Sequence, residues 1–189
     1  MEHYNNVEAV RECNDSNKTI SGPELLMNTN GRYRHTYTAT ASDITPLYRL
    51  TPNAMLMYFQ DSFARLMTIH NVAAFDIVKQ SRMWVITEVQ IDIQPTVTYW
   101  SEDFTVELWV SELTSLRLYC DFRIVRRDNE QLIASGTSLW NILNLDTKRL
   151  ETTDFLADKL TVLPMLMTGS HKKVRFPKPQ SFDMHQHTN

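Results

Sequence analysis

The hydrophobic period of this chain changes near residue 80, and no other feature restricts its fold as much. Between residues 55 and 67, apolar side chains that include Phe59 and Phe63 recur every three or four positions, which places them on one face of an α-helix. From residue 83 to residue 93, apolar and polar side chains largely alternate, which predicts a strand with one apolar face. The chain therefore combines an amphipathic helix with long strands.

Local signals place the helix and the strands along the chain. Thr51 and Pro52 suit a helix start, and a helix of about 18 residues from there would be about 27 Å long. A β-prone stretch at 32–41 precedes it, and a short helical segment is predicted at 72–79. After the 83–93 strand, three more alternating segments predict strands at 104–110, 116–124 and 131–144, with a hairpin turn at 127–130.

This order of elements predicts an α+β protein with a hotdog fold. A long antiparallel sheet with one apolar face needs a long apolar element to cover it, and the predicted helix has the required length and stripe. With 42% hydrophobic residues among 189, the chain can build a sizeable core. We therefore expect the sheet to wrap around a central helix.

The domain organisation follows from changes in composition and from a weak internal repeat. We expect an N-terminal extension at 1–30, a first hotdog module at 31–146, a linker at 147–170 and the start of a second module at 171–189. The polar segments at 42–49 and 180–187 occupy similar places in the two modules, just before a helix. We expect the rest of the second module to lie beyond Asn189.

The segment near the C-terminus carries the residues best suited to catalysis. Asp183, His185 and His187 alternate along the chain, whereas their counterparts in the first repeat are Thr45, Leu47 and Arg49, as the sequence shows. A carboxylate with imidazoles can position a water molecule and take its proton. A solvated tail with a chance His pair is the alternative interpretation. Metal binding is not expected, because the nearby sequence offers few further ligands.

The run Trp84-Val85-Ile86-Thr87-Glu88-Val89-Gln90-Ile91 after a helix, followed later by a D-x-x-x-H segment, resembles the bacterial acyl-ACP thioesterases. These enzymes have two hotdog modules in one chain. The second module typically reads D-x-N-x-H-x-N-N, which Asp183, His187 and Asn189 match, whereas His185 stands where Asn is usual. The resemblance implies hydrolysis of fatty acyl thioesters to free fatty acid and holo-ACP in fatty acid biosynthesis, without a cofactor.

The resemblance also assigns roles to individual residues. Asp183 would orient or deprotonate the attacking water, and His187, with His185 beside it, would orient the substrate or stabilise developing charge. The remaining catalytic residue of the family would lie beyond Asn189. An acyl chain needs a long apolar slot, and the candidate lining is Met55, Phe59, Phe63 and Trp84. The same side chains can equally form the core.

Two further residues invite a chemical interpretation. Asp61 lies on the helix, where many single-module hotdog enzymes carry a catalytic carboxylate, but an ion pair with Arg65 one turn later is the simpler expectation. Cys120 alternates with apolar strand residues and is expected in the core rather than as a nucleophile.

Composition limits the partners and the compartment. A net charge of −3 does not favour nucleic acid, and no apolar stretch is long enough to span a membrane. The absence of an apolar N-terminal run and of a disulfide framework suggests a cytoplasmic protein. The resemblance implies acyl carrier protein as partner. Basic residues such as Arg123, Arg126 and Arg127 could steer an acidic carrier, but an ordinary solvated surface is the default interpretation. A homodimer formed through the hotdog sheets is also expected.

Two alternatives to a thioesterase remain open at the level of sequence. The first is a catalytically silent hotdog module that binds an acyl chain or pairs with a partner, which the chemically blank first repeat favours. The second is a hotdog dehydratase acting on a β-hydroxyacyl thioester. That chemistry usually needs a His near the start of the helix, where this chain has Arg49.

Overall fold

The computed structural model describes residues 31–164, and its strands there form one antiparallel sheet. The elements are β1 (Tyr33–Thr38), α1 (Pro52–Ile69), α2 (Ala74–Ile77), β2 (Arg82–Ile93), β3 (Asp103–Leu113), β4 (Leu118–Arg126), β5 (Leu132–Asn144) and β6 (Leu150–Glu151), with short 3₁₀ turns at Ala41–Asp43, Val78–Gln80 and Asp154–Leu156. The order in the sheet is β1-β3-β4-β5-β2, with β6 added beside β5. One long sheet around one long helix confirms the α+β hotdog fold.

Helix α1 begins where the sequence predicts. The Thr51 hydroxyl accepts a hydrogen bond from the backbone N–H of Ala54 at 3.1 Å, and Pro52 opens the first turn. The buried side chains of α1 lie on one stripe and face the sheet: Ala54, Met55, Phe59, Ser62, Phe63, Leu66 and Met67. Met57, a methionine of the same segment, lies on the other side of the helix and is exposed.

Strand β2 is not the regular strand that its alternating sequence predicts. Its pairing with β5 shifts register between Ile86 and Glu88, so that Thr87 is an extra residue at a β-bulge. A shift of one residue exchanges the two faces of a strand. Trp84 therefore packs against the core together with Val89, although the sequence alternation places them on opposite faces. The prediction of a single apolar face for 83–93 was wrong in this respect.

Gly136 on β5 permits a close approach inside the sheet. A Cβ at this position would lie 2.5 Å from the ring of Phe122 and 2.3 Å from the backbone oxygen of Gln90. No larger residue fits without moving backbone atoms. The glycine therefore leaves room for the Phe122 ring beside β5, where the ring forms part of the core.

The segment after β5 stays close to the sheet. β6 pairs with β5, Leu156 and Leu160 are buried, and the N–H of Leu163 donates to the carbonyl of Val110 at 2.8 Å. No helix between residues 31 and 164 is long and apolar enough to cross a membrane.

Candidate functional site

The four side chains predicted to bind substrate lie between α1 and the sheet. Met55, Phe59 and Phe63 are at most 3% exposed, and Trp84 is half-buried on the edge strand β2. The structure brings Phe63 and Trp84 together edge to face, with ring centroids 5.4 Å apart. These residues are part of the core or pack against it.

Two further aromatic residues lie in this interior and, together with Trp84, place rings on three adjacent strands. Trp84 lies on β2, Trp140 on β5 and Phe122 on β4, all under α1. Phe63 stacks on Trp140 with centroids 3.8 Å apart and planes 2° apart, and Phe59 stacks on Phe122 at 4.2 Å. These rings therefore extend from the sheet edge to the centre of the core.

Both interior tryptophans are fixed by hydrogen bonds. The indole N–H of Trp84 donates to the carbonyl of Val72 at 2.8 Å. The indole N–H of Trp140 donates to the Ser138 hydroxyl at 2.9 Å, and that hydroxyl donates to the carbonyl of Cys120 at 3.0 Å. A buried N–H that finds a partner determines how the ring is oriented.

A third tryptophan, Trp109, does not share the sheet face of Trp84 and Trp140. Trp109 alternates with the core residues Leu108 and Val110 and points to the opposite face, where Arg32 lies 4.8 Å from its ring. The alternation along β3 could have shown this, because Trp109 lies between Leu108 and Val110, which face the core. Phe122, by contrast, stands at a core-facing position of its strand, so the alternation in the sequence could have placed it in the core.

Asp61 lies in a polar cluster between α1 and β1. Its Oδ2 atom accepts hydrogen bonds from Arg65 Nε at 2.6 Å and from the Tyr37 hydroxyl at 2.7 Å. Burial tends to raise the pKa of Asp61, but these two hydrogen bonds outweigh it and hold the pKa below its ordinary value. The carboxylate is thus ionised and paired, which suits the expected ion pair better than a role as proton acceptor.

His35 stands beside this cluster, with its ring 4.6 Å from that of Tyr37. Burial lowers the pKa of His35, and the nearby Arg65 lowers it further. At Cys120, complete burial raises the pKa of the thiol, and this supports its predicted place in the core rather than as a nucleophile.

The predicted catalytic residues Asp183, His185 and His187 lie outside the described residues, so their roles stay predictions. At the corresponding place in the first repeat, the backbone N–H of Arg49 donates to the Thr45 hydroxyl, and Arg49 is exposed. Among residues 31–164, no cluster of three or more His, Cys, Asp or Glu side chains could hold a metal ion.

The basic residues expected to steer a carrier protein are engaged in ion pairs. Arg123 contacts the buried Glu107 at 2.6 Å. Arg126 pairs with Glu102, and Arg127 pairs with Asp103 at 2.7 Å. These contacts reduce the net positive charge that the arginines present at the surface.

Comparison with known proteins identifies the family to which this chain belongs. The model of the acyl-ACP thioesterase N-terminal domain matches residues 32–157. The chain is also 26% identical over 132 residues to the chloroplastic acyl-(acyl-carrier-protein) hydrolase FATB3 of Cuphea viscosissima. That match covers 60% of this chain and 32% of the relative, so the chain spans about a third of the length of this curated relative.

Solved structures show the same hotdog fold. The 12:0-ACP thioesterase of Umbellularia californica is 16% identical with a TM-score of 0.63, and the match covers 78% of this chain and 57% of that one. A Staphylococcus aureus protein solved in complex with CoA is also 16% identical with a TM-score of 0.63, covering 76% of this chain and 94% of that one. The described fold is therefore similar to about half of one protein and to nearly all of the other.

Proposed function

The chain belongs to the acyl-ACP thioesterase family, and from this premise we propose that it is part of an enzyme hydrolysing fatty acyl thioesters of acyl carrier protein in fatty acid biosynthesis. The products are a free fatty acid and holo-ACP. Residues 31–146 are the first hotdog module, which receives the acyl chain. The observation that carries the proposal is the match of the family's N-terminal domain to residues 32–157, over the part of the chain that forms the apolar interior.

The acyl chain binds between α1 and the sheet, against Met55, Phe59, Phe63 and Trp84. Support comes from the half-buried position of Trp84 on the edge strand, where an apolar chain can enter the interior without crossing the sheet. Methionine adapts its shape to a flexible ligand, and apolar walls with few polar groups are typical of small-molecule sites.

The chemical step uses water and no cofactor. Asp183 orients the water or takes its proton as the oxygen attacks the thioester carbonyl. His187 and His185 orient the substrate and stabilise the negative charge that develops on the carbonyl oxygen. Collapse of the tetrahedral intermediate breaks the carbon–sulfur bond, and the departing sulfur takes up the proton lost by the water, so that the carrier leaves as a thiol.

The partner is acyl carrier protein, and the location is the cytoplasm. Two hotdog sheets pair through their edges, which in this chain produces a homodimer. Strand β2 supports this pairing, because in the described sheet it has a neighbour, β5, on one side only. The pattern of two cysteines, with Cys120 buried as a free thiol, is consistent with a reducing compartment.

A second candidate function is acyl binding without hydrolysis. The observation that favours it is the first repeat, in which Thr45, Leu47 and Arg49 stand at the places of the predicted catalytic residues. In this case the chain holds an acyl group, and another polypeptide supplies the reaction.

The experiment that tests the proposal measures thiol release from long-chain acyl-ACP by the 189-residue protein and by Asp183→Asn. Asp146→Asn is the matched control, because Asp146 is an exposed carboxylate in the turn after β5. We expect release by the unaltered protein and by the control, with a loss of at least 100-fold in Asp183→Asn, the usual scale for a general base. Equal release by all three proteins would contradict the role of Asp183. No release by any of them would leave acyl binding as the function of the chain.

A further inference from the structure

Two loops at the end of the module where α1 begins hold large apolar side chains in water. One loop is the turn at residues 45–49, before α1, and the other is the segment at 94–102, between β2 and β3. Five of their side chains are between 39% and 72% exposed. These residues, which we call the aromatic tip, are Leu47, Tyr48, Val97, Tyr99 and Trp100. Exposed apolar side chains grouped in this way usually mark a contact surface.

The two loops are fixed to each other and to the sheet. The backbone N–H of Thr98 donates to the carbonyl of Tyr48 at 2.7 Å, and the rings of Tyr48 and Tyr99 lie 5.5 Å apart. The Thr96 hydroxyl donates to the carbonyl of Leu132 on β5 at 2.8 Å. The aromatic tip is therefore presented by a defined backbone.

Tyr48 has a backbone conformation that is uncommon for a bulky residue. Its φ is 55°, in the left-handed region, where the side chain crowds the backbone. Such strain persists only where surrounding contacts impose it, and it is concentrated at functional positions. The Tyr48 side chain is 57% exposed, so burial inside the module does not account for the strained conformation.

The charges beside the aromatic tip balance each other. The depression next to Trp100 is lined by two arginines and three carboxylates that pair with one another. They are Arg126, Arg127, Glu102, Asp103 and Asp128. Arg49, exposed beside Tyr48, adds a third positive charge. With three charges of each sign, this surface has no net charge to attract a strongly acidic or strongly basic partner.

The side-chain types of the aromatic tip suit the surface of a bilayer. Trp and Tyr combine an apolar ring with a polar N–H or O–H, and they concentrate at the level of the lipid headgroups, where one end of the ring is wet and the other is not. Leucine and valine can reach the adjoining boundary with the acyl chains. Because the charges balance, a zwitterionic headgroup matches this surface better than a charged one.

We propose that the aromatic tip binds the surface of a zwitterionic phospholipid bilayer, with Trp100 and Tyr99 at the level of the headgroups. The contact is peripheral, since only two loops enter the interface. The inference goes beyond the proposed function and does not rest on it, because it uses only the exposure, the fixed backbone and the charges of these loops.

The test titrates the 189-residue protein with phosphatidylcholine vesicles and follows tryptophan emission and cosedimentation. Trp100 is 71% exposed, whereas Trp84, Trp109 and Trp140 are half-buried or buried, so a blue shift on binding reports on Trp100. Lipid brominated close to the headgroup should quench this emission more than lipid brominated near the chain end. Raising salt from about 50 mM to about 500 mM should change the partition coefficient less than about two-fold, because the contact does not depend on net charge.

Three variants separate the aromatic tip from exposed apolar side chains in general. Trp100→Ala should lower the partition coefficient about ten-fold or more, because it removes the largest side chain of the tip. Trp100→Phe keeps an aromatic ring, so it should lose the blue shift but stay within about three-fold of the unaltered protein in cosedimentation. Phe75→Ala is the matched control. Phe75 is 58% exposed on α2, which precedes β2, whereas Trp100 lies in the loop that follows β2, and this variant should partition like the unaltered protein.

Four outcomes would overturn the inference. The first two are no binding to phosphatidylcholine vesicles and equal partition of Trp100→Ala and the unaltered protein. The third is binding that requires anionic lipid and is lost at high salt, which would make the contact electrostatic. The fourth is a blue shift that grows with protein concentration in the absence of lipid, because a second copy of the chain would then cover the aromatic tip.

Discussion

Glu107 is a charged residue whose side chain is buried on one face of the sheet. Its side chain is 1% exposed on the outer face of β3, and its carboxylate contacts Arg123 at 2.6 Å, Arg34 at 3.1 Å and Arg32 at 3.3 Å. Burial tends to raise the pKa of Glu107, but the three guanidinium groups outweigh it and hold the pKa below its ordinary value. Attraction to the three arginines offsets the desolvation free energy of the buried carboxylate. Without these partners, that free energy would strongly destabilise the fold.

The depressed pKa of Glu107 predicts how its contribution to stability depends on pH. A carboxyl with a lower pKa in the folded than in the unfolded state stabilises the fold above the unfolded pKa, and this stabilisation is lost as pH falls through the folded pKa. At pH 7, Glu107→Gln should lower the free energy of unfolding by about 2 kcal/mol, an estimate reduced because the arginines are partly exposed. The difference between the two proteins should shrink as pH falls below about 4.5, the ordinary value for glutamate.

Urea denaturation at a series of pH values measures this effect, and Glu130→Gln is its control. Glu130 pairs with Arg34 at 2.6 Å but is 51% exposed, so its replacement should cost less than about 1 kcal/mol at any pH. A stability difference for Glu107→Gln that stays constant from neutral to acid pH would contradict the assignment of an ionised, paired carboxylate.

At the scale of elements, the bulge in β2 decides which side chains face the helix. Thr87 adds one residue to the strand, and its hydroxyl donates to Asn141 Oδ1 on β5 at 2.9 Å. The bulge thereby directs both Trp84 and Val89 into the interior. Without the extra residue, the two halves of β2 would place their apolar side chains on opposite faces.

Deletion of Thr87 is therefore expected to expose the apolar side chains of one half of β2. If Val89 stays inside, Trp84 turns outward, and the loss of an aromatic residue from the core costs roughly 3 kcal/mol or more. Acrylamide quenching of tryptophan fluorescence should increase, and the urea midpoint should fall. Thr87→Ser, which keeps the bulge and the hydroxyl, is the control and should match the unaltered protein. Unchanged quenching after the deletion would contradict the role of the bulge.

At the scale of the whole molecule, the sheet has two edges of different character. β1 is a six-residue strand at one edge, and β2 is a twelve-residue strand at the other. A long edge strand offers a row of N–H and C=O groups to another sheet, whereas a short one offers few. The proposed homodimer should therefore use β2.

Hydrogen–deuterium exchange at low and high protein concentration tests this use of the edges. Amide hydrogens of β2 that do not pair with β5 should exchange more slowly as concentration rises, because association covers them. The amides of β1 serve as an internal control and should exchange at the same rate at both concentrations. Concentration-dependent protection of β1 alone, or of neither strand, would contradict pairing through β2.

The sequence alone determined the elements and their order, because hydrophobic period and cap residues are local properties. The four-residue spacing of α1, its start at Thr51 and the alternation in the later strands each placed an element close to its position in the structure. The need of a long apolar sheet for a helical cover then led to the hotdog fold. The functional residues near the C-terminus remain predictions of the same local kind.

Only the tertiary structure decided which side chains meet. One bulge reverses the parity of half of β2, so the face that Trp84 occupies could not be read from alternation. The pairing of Glu107 with Arg34 and Arg123 joins β3 and β4 to β1, which is distant from them in sequence. The contact between Phe63 and Trp140 likewise depends on how α1 crosses the sheet. Periodicity determines which residues of one element share a face. Strand registry and the crossing of helix and sheet depend on packing between elements, and a local sequence pattern contains no information on that packing.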